Sequence, residues 1–142
     1  MRSSAASDVY KRQLNVLRNL PNYHYVEAPT TTCKFVFQMD DQEKMEYSQQ
    51  VRQHFADTVE AVKKYHAKLL VMDEVLDAVA MGMLSDEALA EFLRNRPEDL
   101  EVVMTGRAPT PCTDPLADYI TRMQKVRHPF DKGLNARLGV EF

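Results

Sequence analysis

Leu69-Leu70-Val71-Met72-Asp73-Glu74 decides how the chain is read: four apolar residues run directly into two carboxylates. A short apolar run bounded by polar residues has the pattern of a strand buried on both faces, which puts the two acids at its carboxyl end. In an open α/β sheet that end is where ligands bind. An adjacent Asp-Glu pair placed there can hold Mg²⁺ and orient a group attacking a phosphate ester or its neighbour. The same string also describes a core strand running into a solvated turn, and the six residues alone do not separate the two.

The flanking segments favour a sheet. Upstream, Asp40 with Glu43 three residues on is a capping-box start, and Val51, Phe55, Val59 and Val62 recur at helical intervals, so a helix is expected over about 41–66. Its other face is polar, with Gln49, Gln53, Asp57, Glu60 and Lys64. Downstream, Val75, Leu76, Val79 and Met83 form a second periodic segment with Gly82 as a stop, and Ser85 with Asp86 and Glu87 caps a third that ends at Arg96-Pro97. Glu101-Val102-Val103-Met104 then reads as another short buried strand, closed by Thr105-Gly106-Arg107. Two strands joined by helices over about thirty residues make a right-handed βαβ unit with parallel strands.

Farther out the signals weaken. Residues 1–13 are polar and aperiodic and read as a disordered or foreign leader, and a foreign leader implies that the native amino terminus is missing. Leu14, Val16, Leu17 and Leu20 have helical spacing, stopped by Pro21-Asn22. Tyr23 to Val26 and Lys34 to Gln38 read as extended, which sets Phe35 and Phe37 on one face, either as core or as an apolar platform for a flat ligand. Ala108 to Pro115 is a proline-rich loop, and Tyr119-Ile120-Thr121 with Met123 suits a last strand.

The 142 residues suit one domain, and 44% hydrophobic with 27% charged residues is an ordinary globular composition. A net charge of -3 gives no electrostatic reason to expect nucleic acid or an anionic membrane surface as partner. The longest apolar runs are far short of the ~20 residues that span a bilayer, and no signal-peptide pattern opens the chain, so a cytoplasmic location is expected. Cys33 and Cys112 lie apart without a CxxC or Cys/His ligand spacing, which argues against a disulfide or zinc site.

The order LxxLPN, KFxFQM, LLVMDEV, RPxxLEVVMTGR and VRHPFDKGLNARLGVEF, covering about residues 14–142, resembles the P-loop type of ATP:corrinoid adenosyltransferase. The resemblance implies a RecA-like fold, a mostly parallel sheet flanked by helices, usually in a homodimer. It implies transfer of the 5′-deoxyadenosyl group of ATP to the Co(I) of a corrinoid with release of triphosphate, in adenosylcobalamin biosynthesis or salvage. Mg²⁺ (or Mn²⁺) and a flavin-dependent reductant supplying Co(I) come with it.

Residue by residue, Asp73 and Glu74 match the acids that organise Mg²⁺ and act in catalysis. Arg107 of the Thr105-Gly106-Arg107 motif matches a cationic contact to nucleotide phosphates, and Thr105 and Gly106 belong to the same nucleotide-binding motif. Phe35 and Phe37 match an aromatic pair placed against the corrinoid, and the tail with Arg127, His128, Phe130 and Lys132 matches a segment lining the nucleotide site. The family opens with a strand and a G-x-x-x-x-G-K-[ST] loop, whereas here the first glycine is Gly82. The expectation is therefore an amino-terminally truncated member, inactive or weakly active. The competing readings are a P-loop-less corrinoid-binding partner protein and another RecA-like ATPase.

Overall fold

The computed structural model describes residues 12–27 and 36–134. Most of the expected leader, Phe35, Cys33 and the last eight residues of the tail lie outside these. Helix α1 (Arg12–Leu17) is followed by turns to Asn22, and a 3-10 turn (Val36–Gln38) leads into α2 (Asp41–Tyr65). Then come β1 (Leu69–Met72), α3 (Val75–Ala80), α4 (Asp86–Arg94) and β2 (Glu101–Met104). Two further 3-10 turns, Asp114–Leu116 and Pro129–Lys132, follow. This is an α/β arrangement in which the described helices cover one face of a small parallel sheet.

The long helix begins where its capping box predicts. The Asp40 carboxylate accepts from Glu43 N at 2.8 Å, and Glu43 Oε2 accepts from Asp40 N at 3.0 Å, so two otherwise orphaned donors are satisfied reciprocally. His66, at φ 48°, ends it in the left-handed conformation. Helix α3 ends at Ala80, and just past its Met81 cap Gly82 takes a φ of +72° that glycine adopts without strain; Met83 N donates to Ala78 O and Gly82 N to Val79 O. Ser85 caps α4 by accepting from Ala88 N.

Strands β1 and β2 pair in parallel, with Leu70 opposite Val102 and Met72 opposite Met104. These four side chains point to the helices, where Met72, Leu76, Leu84 and Leu89 form the buried core. Phe55 of α2 and Phe92 of α4 meet edge to face at 5.9 Å against this cluster, the geometry that aromatic quadrupoles favour. Leu89 is fully buried.

Several expectations are corrected. The strands are not buried on both faces: Leu69 and Val71 are 59% and 58% exposed, and Val103 is exposed as well, because the helices among the described residues pack on one face of the sheet only. Val36 to Gln38 is a 3-10 turn rather than extended chain; Met39 N bonds back to Val36 O, and the turn delivers the backbone to the Asp40 cap. Neither Tyr23 to Val26 nor Tyr119 to Met123 forms a strand, and Tyr119 and Met123 stand in solvent. Strand propensity needs a paired neighbour to be realised, and these segments have none among the described residues.

Candidate functional site

Parallel pairing brings the carboxyl ends of β1 and β2 side by side, and with them two sequence motifs. Beyond Met72 the chain turns through Asp73 and Glu74 into α3; beyond Met104 it continues as Thr105-Gly106-Arg107. Thr105 joins the two. Its hydroxyl donates to Asp73 Oδ1 at 2.8 Å and accepts from Glu74 N at 2.8 Å. Its backbone N donates to Met72 O at 3.1 Å, and its carbonyl accepts from Leu76 N at 3.3 Å. One short side chain thereby holds the Asp73 carboxylate and the Glu74 backbone relative to the second strand, for Asp73 a hydrogen-bonded support of the kind that orients ligating carboxylates.

The turn itself is constrained. Glu74 has φ 58°, a left-handed conformation that non-glycine residues seldom adopt, and it persists where surrounding bonds over-determine it. Those bonds are visible: besides Glu74 N to Thr105, the Glu74 carbonyl accepts from Asp77 N at 3.1 Å and Ala78 N at 3.2 Å. Both carboxylate-bearing residues remain exposed at the strand end.

Gly106 is required by close approach. A Cβ built there would lie 2.6 Å from Leu76 Cβ and 3.2 Å from Asp77 N. Gly106→Ala should therefore push the Thr105–Arg107 loop off α3 and destabilise the fold by about 1–3 kcal/mol, the range for forced overpacking. A urea titration checks this, and an unchanged midpoint would show that the loop yields freely.

Arg107 lies next to Asp77, a residue that no sequence motif singled out. Arg107 N donates to Asp77 Oδ1 at 3.1 Å, and its Nε lies 3.8 Å from Oδ2. The structure thus unites Asp73, Glu74, Thr105, Gly106 and Arg107 and adds Asp77.

It does not unite all the expected residues. Arg127, His128, Phe130 and Lys132 lie on an exposed stretch with local bonds: His128 Nδ1 accepts from Phe130 N at 3.1 Å, and Lys125 pairs with Asp131 at 2.8 Å. Phe37 falls in the 3-10 turn, its side chain outside the described atoms. A separate open cleft of about 600 Å³ is lined in part by Tyr23, His24, Tyr25, Glu60 and Tyr65, and none of the five united residues lines it.

The loop after Arg107 is anchored to α4. Asp86 accepts from the Thr110 hydroxyl through Oδ1 and from Cys112 N at 3.1 Å through Oδ2. Burial pushes the Asp86 carboxyl up, but these two hydrogen bonds outweigh it and hold it below the usual carboxylate range.

A family model described as ATP:corrinoid adenosyltransferase BtuR/CobO/CobP matches residues 9–142. A corrinoid adenosyltransferase of Pseudomonas aeruginosa is 38% identical over 74 residues, 52% of this chain and 36% of that protein. The corrinoid adenosyltransferase of Escherichia coli K12 is 27% identical over 130 residues, 88% of this chain and 63% of the relative. Corrinoid adenosyltransferase CobA of Salmonella typhimurium is 28% identical over the same extent. The chain thus spans between about one third and two thirds of the length of these curated relatives. No solved structure matches it. With its family match running from residue 9 to the last residue, the chain belongs to the ATP:corrinoid adenosyltransferase family.

Proposed function

We propose that the chain serves corrinoid adenosylation, the transfer of the 5′-deoxyadenosyl group of ATP to the Co(I) of a corrinoid with release of triphosphate, in adenosylcobalamin biosynthesis or salvage. One observation carries the reading: Asp73-Glu74 and Thr105-Gly106-Arg107, some thirty residues apart in sequence, are tied together at the carboxyl ends of paired parallel strands. In the reaction the cobalt lone pair attacks ribose C5′, the Co–C bond forms as C5′–O breaks, and the bonding pair leaves with triphosphate. The residues' work is then to hold ATP in line and to balance charge on the leaving group.

The donors fit Mg²⁺ (or Mn²⁺). Such hard cations take one or two carboxylates and complete their shell with substrate phosphates and water. Among the described residues no group of three or more His, Cys, Asp and Glu side chains could hold a metal, so Asp73 and Glu74 would share the ion with the nucleotide. Bound there, Mg²⁺ would supply positive charge to the triphosphate. Thr105 fixes the Asp73 carboxylate, and the Arg107 guanidinium adds a planar cationic fork suited to phosphate.

In this reading Phe35 and Phe37 cover one face of the corrinoid and exclude water and an axial ligand, while Arg127, His128, Phe130 and Lys132 line the nucleotide. The domain is RecA-like and works as a cytoplasmic homodimer, with a flavin-dependent reductant supplying Co(I). Among the described residues no helix is long and apolar enough to cross a membrane. Phe35→Ala or Phe37→Ala should lower turnover strongly when a mild reductant must generate Co(I), less when a strong one supplies it, and shift nucleotide affinity by less than about threefold. Ordinary core rings would instead cost about 3–5 kcal/mol of stability and depress both assays alike.

The test is product analysis under anaerobic conditions, with ATP, Mg²⁺ and chemically reduced cobalamin. Adenosylcobalamin and triphosphate in equal amounts are expected, formed slowly, since the sequence contains no G-x-x-x-x-G-K-[ST] loop. Corrinoid binding without Co–C bond formation would point to a corrinoid-binding partner protein. ADP and phosphate as products would point to another RecA-like ATPase.

A further inference from the structure

Residues 105–107 lie along residues 74–77 with a contact at every step. Thr105 holds Glu74 N and Leu76 N, Gly106 packs on Leu76, and Arg107 meets Asp77. The turn that begins with Glu74 therefore ends on the carboxylate that holds Arg107.

By Coulomb's law alone Asp77 is misplaced. A carboxylate beside a phosphate-binding arginine repels the anion that the arginine should attract. Its geometry offers a different role. The Asp77 carboxylate is 22% exposed, anchored in the first turn of α3, and contacts Arg107 through both oxygens, one to the backbone N–H and one toward Nε. The Arg107 side chain is 66% exposed, and without restraint it would sample many rotamers and lose that freedom on binding.

We infer that Asp77 is a positioning residue, which holds the Arg107 guanidinium at a set distance from the Asp73-Glu74 carboxylates so that cation and metal-binding acids meet the same polyphosphate. The inference rests on Arg107 being a phosphate contact, as proposed above.

Calorimetric titration of the chain with inorganic triphosphate and Mg²⁺ tests it, using Asp77→Asn, Arg107→Ala and the double variant. Asp77→Asn keeps the shape and an acceptor for Arg107 N–H but removes the charge facing Nε. Binding should weaken about three- to tenfold, although a negative charge has been taken away from a polyanion site. Arg107→Ala should weaken it about tenfold or more, and the double variant should bind like Arg107→Ala alone, since the carboxylate acts through the arginine. Nitrogen-15 spectra give a second readout that does not depend on triphosphate: hydrogen exchange at Arg107 Nε should accelerate in Asp77→Asn while the thermal melt stays in place.

Tighter or unchanged binding by Asp77→Asn, or additive losses in the double variant, would overturn the positioning role while leaving Arg107 as a phosphate contact. An Arg107→Ala protein that binds triphosphate as well as the unsubstituted chain would overturn both readings.

Discussion

Glu74→Gln is expected to lower adenosyl transfer by about a hundredfold or more, the scale of losing one preorganised electrostatic contact. Glutamine keeps the volume and the backbone N–H that Thr105 accepts, so the turn and its left-handed φ should survive, and the thermal melt should barely move. What is lost is a charge at the strand end, where the proposed reaction needs an oxygen donor for Mg²⁺ beside the leaving triphosphate. Raising Mg²⁺ should recover part of the activity. If Glu74 is a solvated turn carboxylate, turnover at saturating ATP and Mg²⁺ stays near normal, and the assignment fails.

Leu89→Ala should have the largest effect on stability, about 2–5 kcal/mol, because the side chain is fully buried and its removal leaves a cavity beside Met72, Leu76 and Leu84. Against the usual 5–15 kcal/mol for a whole domain, that is a large fraction. The urea midpoint should fall with an unchanged slope. The consequence reaches the site. Met72 ends β1 and Leu76 lies in α3, so the turn carrying Asp73, Glu74 and Asp77 stands on this cluster. Leu89→Ala should therefore lose nucleotide binding in parallel with folding as temperature rises, whereas Glu74→Gln should lose activity without loss of structure. A loss of unfolding free energy under about 0.5 kcal/mol would show that Leu89 is not part of the stabilising core.

Local chemistry made much of this legible in the sequence. The Asp40–Glu43 box, the Ser85 cap and Gly82 each satisfy or release specific backbone groups, and the helix ends fall close to them. The two strands were readable from apolar runs closed by Asp-Glu and by Thr-Gly-Arg, which also placed five candidate site residues at strand ends.

What depends on distant partners was not readable. Exposure of Leu69 and Val71 follows from what packs on the sheet, and the strand-prone Tyr119–Met123 stays irregular without a neighbour to pair with. The Thr105–Asp73 hydrogen bond follows from a register that sets Met72 opposite Met104, across 32 positions of sequence. Asp77 carries no motif; the signal available was its place three residues after Glu74, in the first turn of the helix that follows.

In the proposed reaction the paired strand ends receive the triphosphate of ATP together with Mg²⁺. Backbone amide shifts recorded while ATP and Mg²⁺ are added to nitrogen-15-labelled protein test it most directly. Saturable, Mg²⁺-dependent shifts are expected, concentrated at Asp73, Glu74, Asp77 and Thr105 to Arg107, with little change at the cleft lined by Tyr23 and Tyr65. Shifts confined to that cleft, or a strand-end response indifferent to Mg²⁺, would contradict it.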